Sequence, residues 1–544
     1  MKDSTSIVDI KGLARNILNV IDKSPWRDTY SDRIRFLVKE AENPCELAIV
    51  GEVSAGKSSF INTILGKDLA VVGALETTAT INFFKYGEPI DKKHPVKVVW
   101  EDGSEEWQTR EFLDSLQGNT KEIIDRANGI DHLEYFLKED VLKRLTIIDT
   151  PGTGSLIDAH SSRIQDYIVE QCRLRDKHNE QSVALKNRAD AVIVITGRVP
   201  NMSTSDLISS FSQKTSSFNS IGVMTKIDIE NNVSTEDWQR RCSDYSKMLQ
   251  HQLNTIVPVS AQTFQAVKEL EKTGKLSVFA EALKNIPSDE FDEVCNSEVF
   301  LSKEADEYFT NYNLPYNLRV DLASNLEPTV FYHIAKEFHK FPIEEATRHL
   351  IKYSGMDYVK AILKKHFFDR SDIIRCSKVA SEFHDLLEEI LNNKLYKLRR
   401  EVDNKLTYLN IIRNSLANKN VKQDFTNFVN DNICSIDDYT DYVKEIKELI
   451  KQTESLQQLF SITDIKCEAL ILLEEKQSSF SPKELEELEM LFGKKYSEKS
   501  MPTDGKYLFT RQLYWRGRKD VIYDPEVKRI VEHAIYVYEN LNPQ

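Results

Sequence analysis

The nine residues GEVSAGKSS at 51–59 constrain the fold of this chain more than any other stretch. They fit the pattern G-x-x-x-x-G-K-[ST]. An apolar run precedes them at 47–50 and helical spacing follows at 60–65, which is the strand–loop–helix context that the pattern requires. Glycines let backbone N–H groups converge, and the helix adds its positive N-terminal end, so such a loop binds a phosphate chain. The predicted phosphate-binding residues are Gly51, Glu52, Val53, Ser54, Ala55, Gly56, Lys57, Ser58 and Ser59.

Two side chains of this loop have separate predicted roles. We expect Lys57 to reach the β- and γ-phosphates and the Ser58 hydroxyl to bind Mg²⁺. The alternative is a plain glycine turn between a strand and a helix. That alternative is disfavoured because both glycines, the lysine and the serine fall in register.

Length, charge and cysteine content limit the other possibilities. A chain of 544 residues is too long for one hydrophobic core, so we expect two or three domains. The formal net charge of −14 argues against a nucleic acid partner. The seven cysteines form no C-x-x-C pair, which favours reduced thiols. Neither a signal-peptide core nor a run of about 18 apolar residues occurs, so we expect a cytoplasmic protein.

A threonine-rich stretch at 76–80 precedes a strand-like run at 81–84. A threonine in a loop at this distance can bind Mg²⁺ while a γ-phosphate is present, and such a loop is released on hydrolysis. Three threonines compete for this role, and we favour Thr78, with Thr77 second. The alternative is that they are ordinary strand-forming residues.

The sequence DTPG at 149–152 follows an apolar run at 145–148. An aspartate at the end of a strand can hold Mg²⁺ through a water molecule. A glycine can offer its N–H to the γ-phosphate without a side chain in the way. We assign these roles to Asp149 and Gly152, because the motif ends a buried strand that follows the phosphate loop.

The sequence TKID at 225–228 follows an apolar run at 221–224 and predicts which base is bound. A carboxylate accepts two hydrogen bonds from the N1–H and 2-amino groups of guanine, whereas adenine offers no such pair. Asp228 would therefore read guanine, and the stem of Lys226 would cover the ring. The backbone that follows the last strand would close over the base. The predicted base-binding residues are Thr225, Lys226, Asp228, Ser260 and Ala261.

Apolar strands alternate with helical stretches from residue 45 to about 285. This pattern predicts an α/β domain with a mostly parallel sheet and helices on both faces. A ligand of such a sheet lies at the carboxyl ends of the strands, where all the motifs fall. Residues 1–44 are predicted to form helices that join a helical bundle or stalk of residues 286–544.

Apolar residues at spacings of three and four from Phe383 to Leu416 predict a long helix near 380–418. It would span roughly 50 Å, which favours a stalk or coiled-coil arm over one helix of a compact bundle. Membrane contact has little support, since no strongly apolar paddle occurs and Leu470–Leu473 is typical of a core. The aromatic and cationic residues of 507–519 suit a packed turn, a protein partner or lipid headgroups.

With these motifs in order, the chain resembles the dynamin-family GTPases, and among them the bacterial dynamin-like proteins. The resemblance rests on GEVSAGKSS, the threonine-rich stretch, DTPG and TKID, which together cover residues 45–261. Helices on either side of the nucleotide domain and the stretch at 354–368 are also similar to bacterial members. It implies a GTP- and Mg²⁺-dependent hydrolase that binds GTP or GDP and dimerises through its nucleotide face. Some members work with a second dynamin-like chain.

The resemblance also implies residue roles. In that family the serine matching Ser54 helps hold a monovalent cation, here K⁺ or Na⁺, so the implied catalytic residues are Ser54, Lys57, Thr78 and Gly152. The chain departs from the eukaryotic pattern at Val53, where a glutamine helps place the attacking water. Backbone groups, another side chain or a partner must then position that water.

Three alternatives to a self-sufficient cytoplasmic GTPase stay open. The first is a nucleotide-gated scaffold with negligible hydrolysis of its own. The second is an ATP-using P-loop protein, which TKID disfavours. The third is a membrane-remodelling dynamin that acts with a partner chain and is peripheral at a membrane.

Overall fold

The structure of the protein, a computed structural model, describes residues 5–24, 26–51, 55–66, 81–100, 102–116, 130–149, 189–197, 219–229, 234–249, 253–323, 326–415, 422–493 and 504–541. The chain divides into two compact units. One comprises Pro44–Asp369, and the other combines Met1–Asn43 with Arg370–Gln544. The predicted limits of the functional domains, at residues 44 and 285, stay predictions.

Nine strands of the described residues form one sheet in the unit of Pro44–Asp369. In chain order they are β1 (Cys45–Gly51), β2 (Ile81–Tyr86), β3 (Val96–Trp100), β4 (Glu105–Gln108), β5 (Ile130–Leu137), β6 (Leu145–Asp149), β7 (Ala191–Thr196), β8 (Ser220–Met224) and β9 (Thr255–Pro258). Their order across the sheet is β4-β3-β5-β2-β6-β1-β7-β8-β9.

Five of the eight strand pairings are parallel, so the predicted α/β class with a mostly parallel sheet is confirmed. The antiparallel pairs are β2–β6, β3–β4 and β3–β5. The central strands are continuous apolar runs because helices and loops cover both of their faces; all six residues of β7 are buried. Strands β3, β4 and β5, which lie between residues 86 and 140, extend the sheet at one edge.

Twenty α-helices occur in the described residues. In chain order they are α1 (Thr5–Ile21), α2 (Arg27–Glu42), α3 (Lys57–Leu65), α4 (Arg110–Asp114), α5 (Thr235–Met248), α6 (Ala261–Thr273), α7 (Leu276–Lys284), α8 (Phe291–Val294), α9 (Ser297–Phe300), α10 (Asp306–Thr310), α11 (Tyr316–Ala323), α12 (Pro328–Lys340), α13 (Ile343–Ser354), α14 (Met356–Leu363), α15 (Ser371–Glu389), α16 (Tyr396–Ser415), α17 (Lys422–Glu475), α18 (Pro482–Phe492), α19 (Gly505–Lys519) and α20 (Pro525–Leu541).

One hydrophobic cluster joins helices on both sides of residue 285. It contains Leu270 of α6, Phe279 of α7 and Phe331 of α12, all buried. Ile286, which follows α7, is buried in the same cluster. Packing therefore continues from α6 to α13 past the predicted end of the nucleotide domain, since the helices on both sides share one apolar core.

The N-terminal helices pack within the second unit. Apolar side chains of α1 and α2 form one core with those of α15 and α17. Polar contacts near both ends of α2 supplement this core. The Arg375 guanidinium binds the Glu40 carbonyl oxygen at 2.8 Å and its carboxylate at 2.9 Å, and Glu389 accepts from the Tyr30 hydroxyl at 2.9 Å. Both ends of α2 are therefore fixed to α15.

The long helix predicted near 380–418 is observed, with different bounds. It begins at Ser371 as α15, passes through a π-helical segment at Ile390–Leu395, and continues as α16 to Ser415. The sequence did not predict α17, which has 54 residues and a length of about 80 Å. Apolar and polar residues are only weakly separated onto different faces of α17. The sequence therefore lacks the helical periodicity on which a prediction of this helix would depend.

The cation-rich segment 507–519 is part of α19 and not a turn. Four of its cations pair with glutamates of the same unit. These pairs are Arg511–Glu487, Arg516–Glu539, Arg518–Glu484 and Lys519–Glu532. Trp515 is buried, and its indole N–H donates to Glu487 at 2.9 Å. The segment therefore packs within its own unit, but as a helix and not as the predicted turn. Leu473 is buried in the core of the same region, as predicted.

Among the helices that the structure describes, none combines the length and the apolar character needed to cross a lipid bilayer.

Arg319 of α11 is fully buried in the cluster that follows residue 285. Its guanidinium donates to the carbonyl oxygens of Phe300 and Leu314 and forms an ion pair with Asp306 at 3.0 Å. The ring of Phe309 lies 4.5 Å from its Cζ. One cation thus satisfies the carbonyl group at the end of α9 and another in the loop before α11.

We predict that Arg319→Met destabilises the unit of Pro44–Asp369 by roughly 1–3 kcal/mol, because buried carbonyl oxygens and the partly exposed Asp306 carboxylate lose their donor. Urea unfolding followed by tryptophan fluorescence measures the effect. Arg240→Met is the matched control, since Arg240 is largely exposed and pairs with Asp237. An Arg319→Met protein that unfolds at the wild-type urea concentration would contradict this role.

Candidate nucleotide-binding site

The phosphate loop begins at the end of β1. A Cβ atom added to Gly51 would lie 2.5 Å from the carbonyl oxygen of Ile195 on β7, so only glycine fits there. Gly56 precedes α3 with a φ of +85°, a left-handed conformation that favours glycine. Lys57 is the first residue of α3, and its Nζ donates to the Gly51 carbonyl oxygen at 3.3 Å. The lysine therefore folds back over the start of the loop, as its predicted role requires.

Asp149, the last residue of β6, is a buried carboxylate close to the phosphate loop. Burial raises the pKa of Asp149 to about 6, although the charge of Lys57 and a hydrogen bond from Asn82 oppose this rise. Its Oδ1 atom has no hydrogen-bond partner among the described residues. A buried carboxylate oxygen without a partner costs free energy, so this group is poorly stabilised unless a ligand binds it.

These groups fit the Mg²⁺ ion predicted from the sequence. Mg²⁺ prefers oxygen ligands and is usually held by one or two protein groups together with substrate phosphates and water. Asp149 offers an unsatisfied carboxylate oxygen. Ser58, which lies in the first turn of α3 and is 6% exposed, offers a hydroxyl.

Thr225 connects the base-reading strand to the phosphate loop. It follows β8, and its buried hydroxyl lies within hydrogen-bonding distance of the Ala55 carbonyl oxygen and 3.1 Å from that of Thr196. Gly56 packs against the same side chain, since a Cβ atom there would lie 3.7 Å from the Thr225 Cβ. The structure therefore gives Thr225 a role in holding the phosphate loop in place.

The predicted base-reading groups lie together beyond the ends of β8 and β9. Asp228, which is 6% exposed, accepts a hydrogen bond from the Ser260 hydroxyl. Burial raises the pKa of Asp228, and the bond from Ser260 and the charge of Lys226 partly offset this effect. Lys226 is exposed with a φ of +58°, an uncommon conformation for a residue with a side chain. Ser260 caps the N-terminus of α6, which Ala261 begins.

Several predicted site residues lie outside the described residues. They are Glu52, Val53 and Ser54 of the phosphate loop, Thr77 and Thr78 of the threonine-rich stretch, and Gly152 of DTPG. Their roles stay predictions. The same holds for the predicted helices at 162–175 and 204–214.

Two groups of residues at this site were not predicted. Asn82 lies opposite Asp149 in the β2–β6 pairing and is buried, and its side chain hydrogen-bonds the Asp149 carboxylate. A lone amide within an apolar strand is a signal that could have identified it. The other group, at 353–355, touches the base-reading turns from a distant part of the chain.

Groups suited to phosphate, to Mg²⁺ and to guanine thus meet at the carboxyl edge of a mostly parallel sheet. This is the arrangement of a P-loop GTPase domain.

Comparison with known proteins narrows this class. The sequence model of the Dynamin family matches residues 47–227. Dynamin-like protein 2 of Campylobacter jejuni is 26% identical over 147 residues, which are 27% of this chain and 23% of that protein. Dynamin-like protein 1 of the same organism is 27% identical over 150 residues, 26% of this chain and 20% of that protein. Isoniazid-induced protein IniC of Mycobacterium tuberculosis is 29% identical over 134 residues, 23% of this chain and 24% of that protein.

Solved structures align over more of the chain but less closely. One is described as "An oligomerised bacterial dynamin pair provides a mechanism for the long range sensing and tethering of membranes". The alignment with it covers 99% of this chain and 90% of the chain in that structure, with 16% identity and a TM-score of 0.34. The bacterial dynamin GTPase LeoA from ETEC covers 95% of this chain and 76% of its own, with 12% identity and a TM-score of 0.24. TM-scores this low support no inference about fold or assembly.

Residues 47–227 therefore carry a dynamin-type GTPase domain. The family inferred from the four motifs is confirmed. The matched region spans less than a quarter of either Campylobacter protein. The activity, assembly and partners of the whole chain are thus matters of proposal.

We predict that Asp149→Asn leaves the melting temperature of the nucleotide-free protein at or above that of the wild type at pH 7.5. Because burial raises the pKa of Asp149 from 3.8 to about 6, its charged form costs roughly 1–3 kcal/mol above pH 6, and this cost declines as the pH falls from about 6 to 3.8. The variant should also lose the further rise in melting temperature that Mg²⁺ adds to GDP. A lower melting temperature with the Mg²⁺ effect retained would contradict the assignment.

Proposed function

We propose that this chain hydrolyses GTP to GDP and phosphate with Mg²⁺, and that bound nucleotide controls its dimerisation and the arrangement of its helical part. The observation that carries this proposal is the buried Asp149 carboxylate beside Lys57, with one oxygen unsatisfied among the described residues. A charged group in that state favours a cationic ligand. A phosphate-bound metal ion is the ligand that this domain class supplies.

The phosphate side of the site has two protein functions. The Lys57 ammonium binds the β- and γ-phosphate oxygens, and the backbone N–H groups of the loop hold the phosphate chain. Ser58, Asp149 and Thr78 would hold the metal ion. Bound there, Mg²⁺ would supply positive charge against the charge that develops on the phosphate groups during transfer.

The base side of the site selects guanine. The Asp228 carboxylate accepts from the N1–H and 2-amino groups of the base, and Lys226 covers one face of the ring. The contact between Asp228 and the Ser260 hydroxyl supports this role, because it fixes the carboxylate while leaving capacity to accept further hydrogen bonds.

Hydrolysis needs a water molecule in line with the bond between the γ-phosphorus and the β–γ bridging oxygen. The water oxygen bonds to the γ-phosphorus, the bond to the bridging oxygen breaks, GDP leaves with the electron pair, and a proton of the water passes to the released phosphate. The Gly152 N–H would stabilise the developing charge, and Ser54 would help hold a K⁺ or Na⁺ ion that adds positive charge there. Val53 offers no polar group to orient the water, so we propose that a second GTPase domain completes the site on dimerisation.

The partner and the location are also proposals. The second domain comes from another copy of this chain or from a different dynamin-like chain. The protein acts in the cytoplasm, with peripheral membrane contact as a further proposal. A second candidate function is a nucleotide-gated scaffold that binds GTP and hydrolyses it negligibly on its own. The valine at position 53 favours it.

We predict that Lys57→Ala and Ser58→Ala each lower GTP turnover at least about a hundredfold, because each removes a charge or ligand aimed at the transferring phosphate. Phosphate release measured with saturating Mg²⁺-GTP tests this. Lys275→Ala is the control, since Lys275 is partly exposed and pairs with Asp321 at the surface. Wild-type turnover in either site variant would overturn the assignment of the site.

We predict that turnover per molecule rises with protein concentration, because a second GTPase domain supplies the missing group. GTP turnover is measured over a hundredfold range of concentration, with K⁺ and then Na⁺ as the only monovalent cation. A difference between the two salts supports the ion near Ser54. A flat and slow rate in both salts would favour the scaffold over the self-sufficient enzyme.

A further inference from the structure

A sharp corner joins α13 to α14 and presses on the end of β9. We call Tyr353, Ser354 and Gly355 the 353–355 corner. Gly355 has a φ of +69°, and a Cβ atom added to it would lie 2.2 Å from the carbonyl oxygen of Pro258. Only glycine therefore permits both the turn and the contact. The backbone of the corner lies directly against the backbone that leads into the base-reading residues.

Ser354 fixes the second of the two base-reading turns. Its carbonyl oxygen accepts a hydrogen bond from the Ser260 N–H at 2.9 Å. Its own side chain is fully buried and donates to the Ile351 carbonyl oxygen at 2.6 Å. Ser260 in turn donates through its hydroxyl to Asp228. The corner thus fixes the backbone of Ser260, whose side chain binds the Asp228 carboxylate.

Tyr353 fixes the first of these turns. Its hydroxyl donates to the carbonyl oxygen of Ile227 at 3.3 Å, one residue before Asp228. Its ring packs against the cluster that contains Met224 and Ile227, and lies 4.3 Å from the ring of His333 on α12. The tyrosine therefore ties the short 3₁₀ turn at Ile227–Ile229 to the helices that follow residue 285.

Both base-reading turns are thus linked to one segment outside the sheet. A carboxylate that accepts two hydrogen bonds from one base edge works only when it is placed to within about 0.5 Å. Both supports of Asp228, the turn that carries it and the serine that binds it, depend on the same three residues. A displacement of α13 therefore reaches the base site directly.

We propose that the 353–355 corner is a positioning device that sets guanine selectivity and couples α12–α14 to nucleotide affinity. The proposal rests on the guanine site of the proposed function. It assigns no contact with nucleotide to the corner itself. Movement of these helices changes the placement of Asp228, and by linkage bound guanine nucleotide favours the helix arrangement seen here.

The first test compares two glycine-to-alanine variants. Gly355 and Gly274 both follow a helix with nearly the same left-handed φ, +69° and +68°, but nothing lies within 4 Å of a Cβ at Gly274. Gly274→Ala therefore introduces the backbone strain without the clash. Dissociation constants for GDP and inosine diphosphate are measured by titration calorimetry. Inosine diphosphate lacks the 2-amino group, so it makes only one of the two bonds to Asp228.

We expect Gly355→Ala to weaken GDP binding about tenfold and inosine diphosphate binding about threefold, which lowers the ratio of the two affinities. Gly274→Ala should leave both affinities at wild-type values. A corner that only contributes to stability would lower the melting temperature of Gly355→Ala and leave the ratio unchanged.

A second pair of variants decides the question if Gly355→Ala does not fold. Tyr353→Phe removes the hydroxyl that binds Ile227 and keeps the ring. Tyr332→Phe is its control, because the Tyr332 hydroxyl binds Asp292 at 2.6 Å in the same unit without touching the base site. We expect Tyr353→Phe to lower the GDP-to-inosine diphosphate ratio about threefold, with a melting temperature within the range of the control. A lower ratio in either corner variant supports the proposal.

The outcomes separate this inference from the proposed function. Wild-type protein that binds GDP no better than ADP, with no effect of Asp228→Asn, would overturn the guanine site and the inference with it. Wild-type protein that prefers GDP through Asp228, with ratios in both corner variants equal to those of their controls, would overturn the inference alone.

Discussion

The parallel pairing of β1 with both β6 and β7 is the constraint on which the rest of the site depends. The β1–β6 register sets Ile49 beside Asp149, and the β1–β7 register sets Gly51 beside Ile195. Because parallel strands end at the same edge, this pairing brings the phosphate loop and the buried carboxylate together. The approach of Ile195 to Gly51 leaves no room for a side chain where the loop begins.

Two buried aspartates at this edge are stabilised less well than structural carboxylates usually are. Burial raises the pKa of Asp149 and of Asp228, and the nearby lysines and hydrogen-bond donors only partly oppose this effect. Arg319 shows the contrast, since its buried charge is met by an ion pair and by backbone carbonyl groups. Incomplete stabilisation of a buried carboxylate is typical of groups that bind a ligand, which supports the proposed roles of the two aspartates, whereas the arginine serves the fold.

The helices between residue 285 and Asp369 belong to the same compact unit as the sheet. Their core includes side chains of α6 and α7, and their corner at 353–355 touches both base-reading turns. The nucleotide site is therefore supported from two directions, by the strands that end at it and by a helical segment that follows the domain in sequence. Such support gives the helices a direct mechanical route to Asp228.

The sequence by itself determined the phosphate loop, the strand-end aspartate and the base-reading motif, because each lies within a few adjacent residues whose spacing local geometry dictates. It also determined the α/β class and the long helix near 380–418 through apolar periodicity. Only the tertiary structure decided that Asn82 lies opposite Asp149, since the sequence of a single strand does not specify which strand it pairs with. It alone brought Tyr353 to Ile227, 126 residues away along the chain. No local pattern records such a contact, because the free energy that forms it comes from a core shared by distant helices and strands.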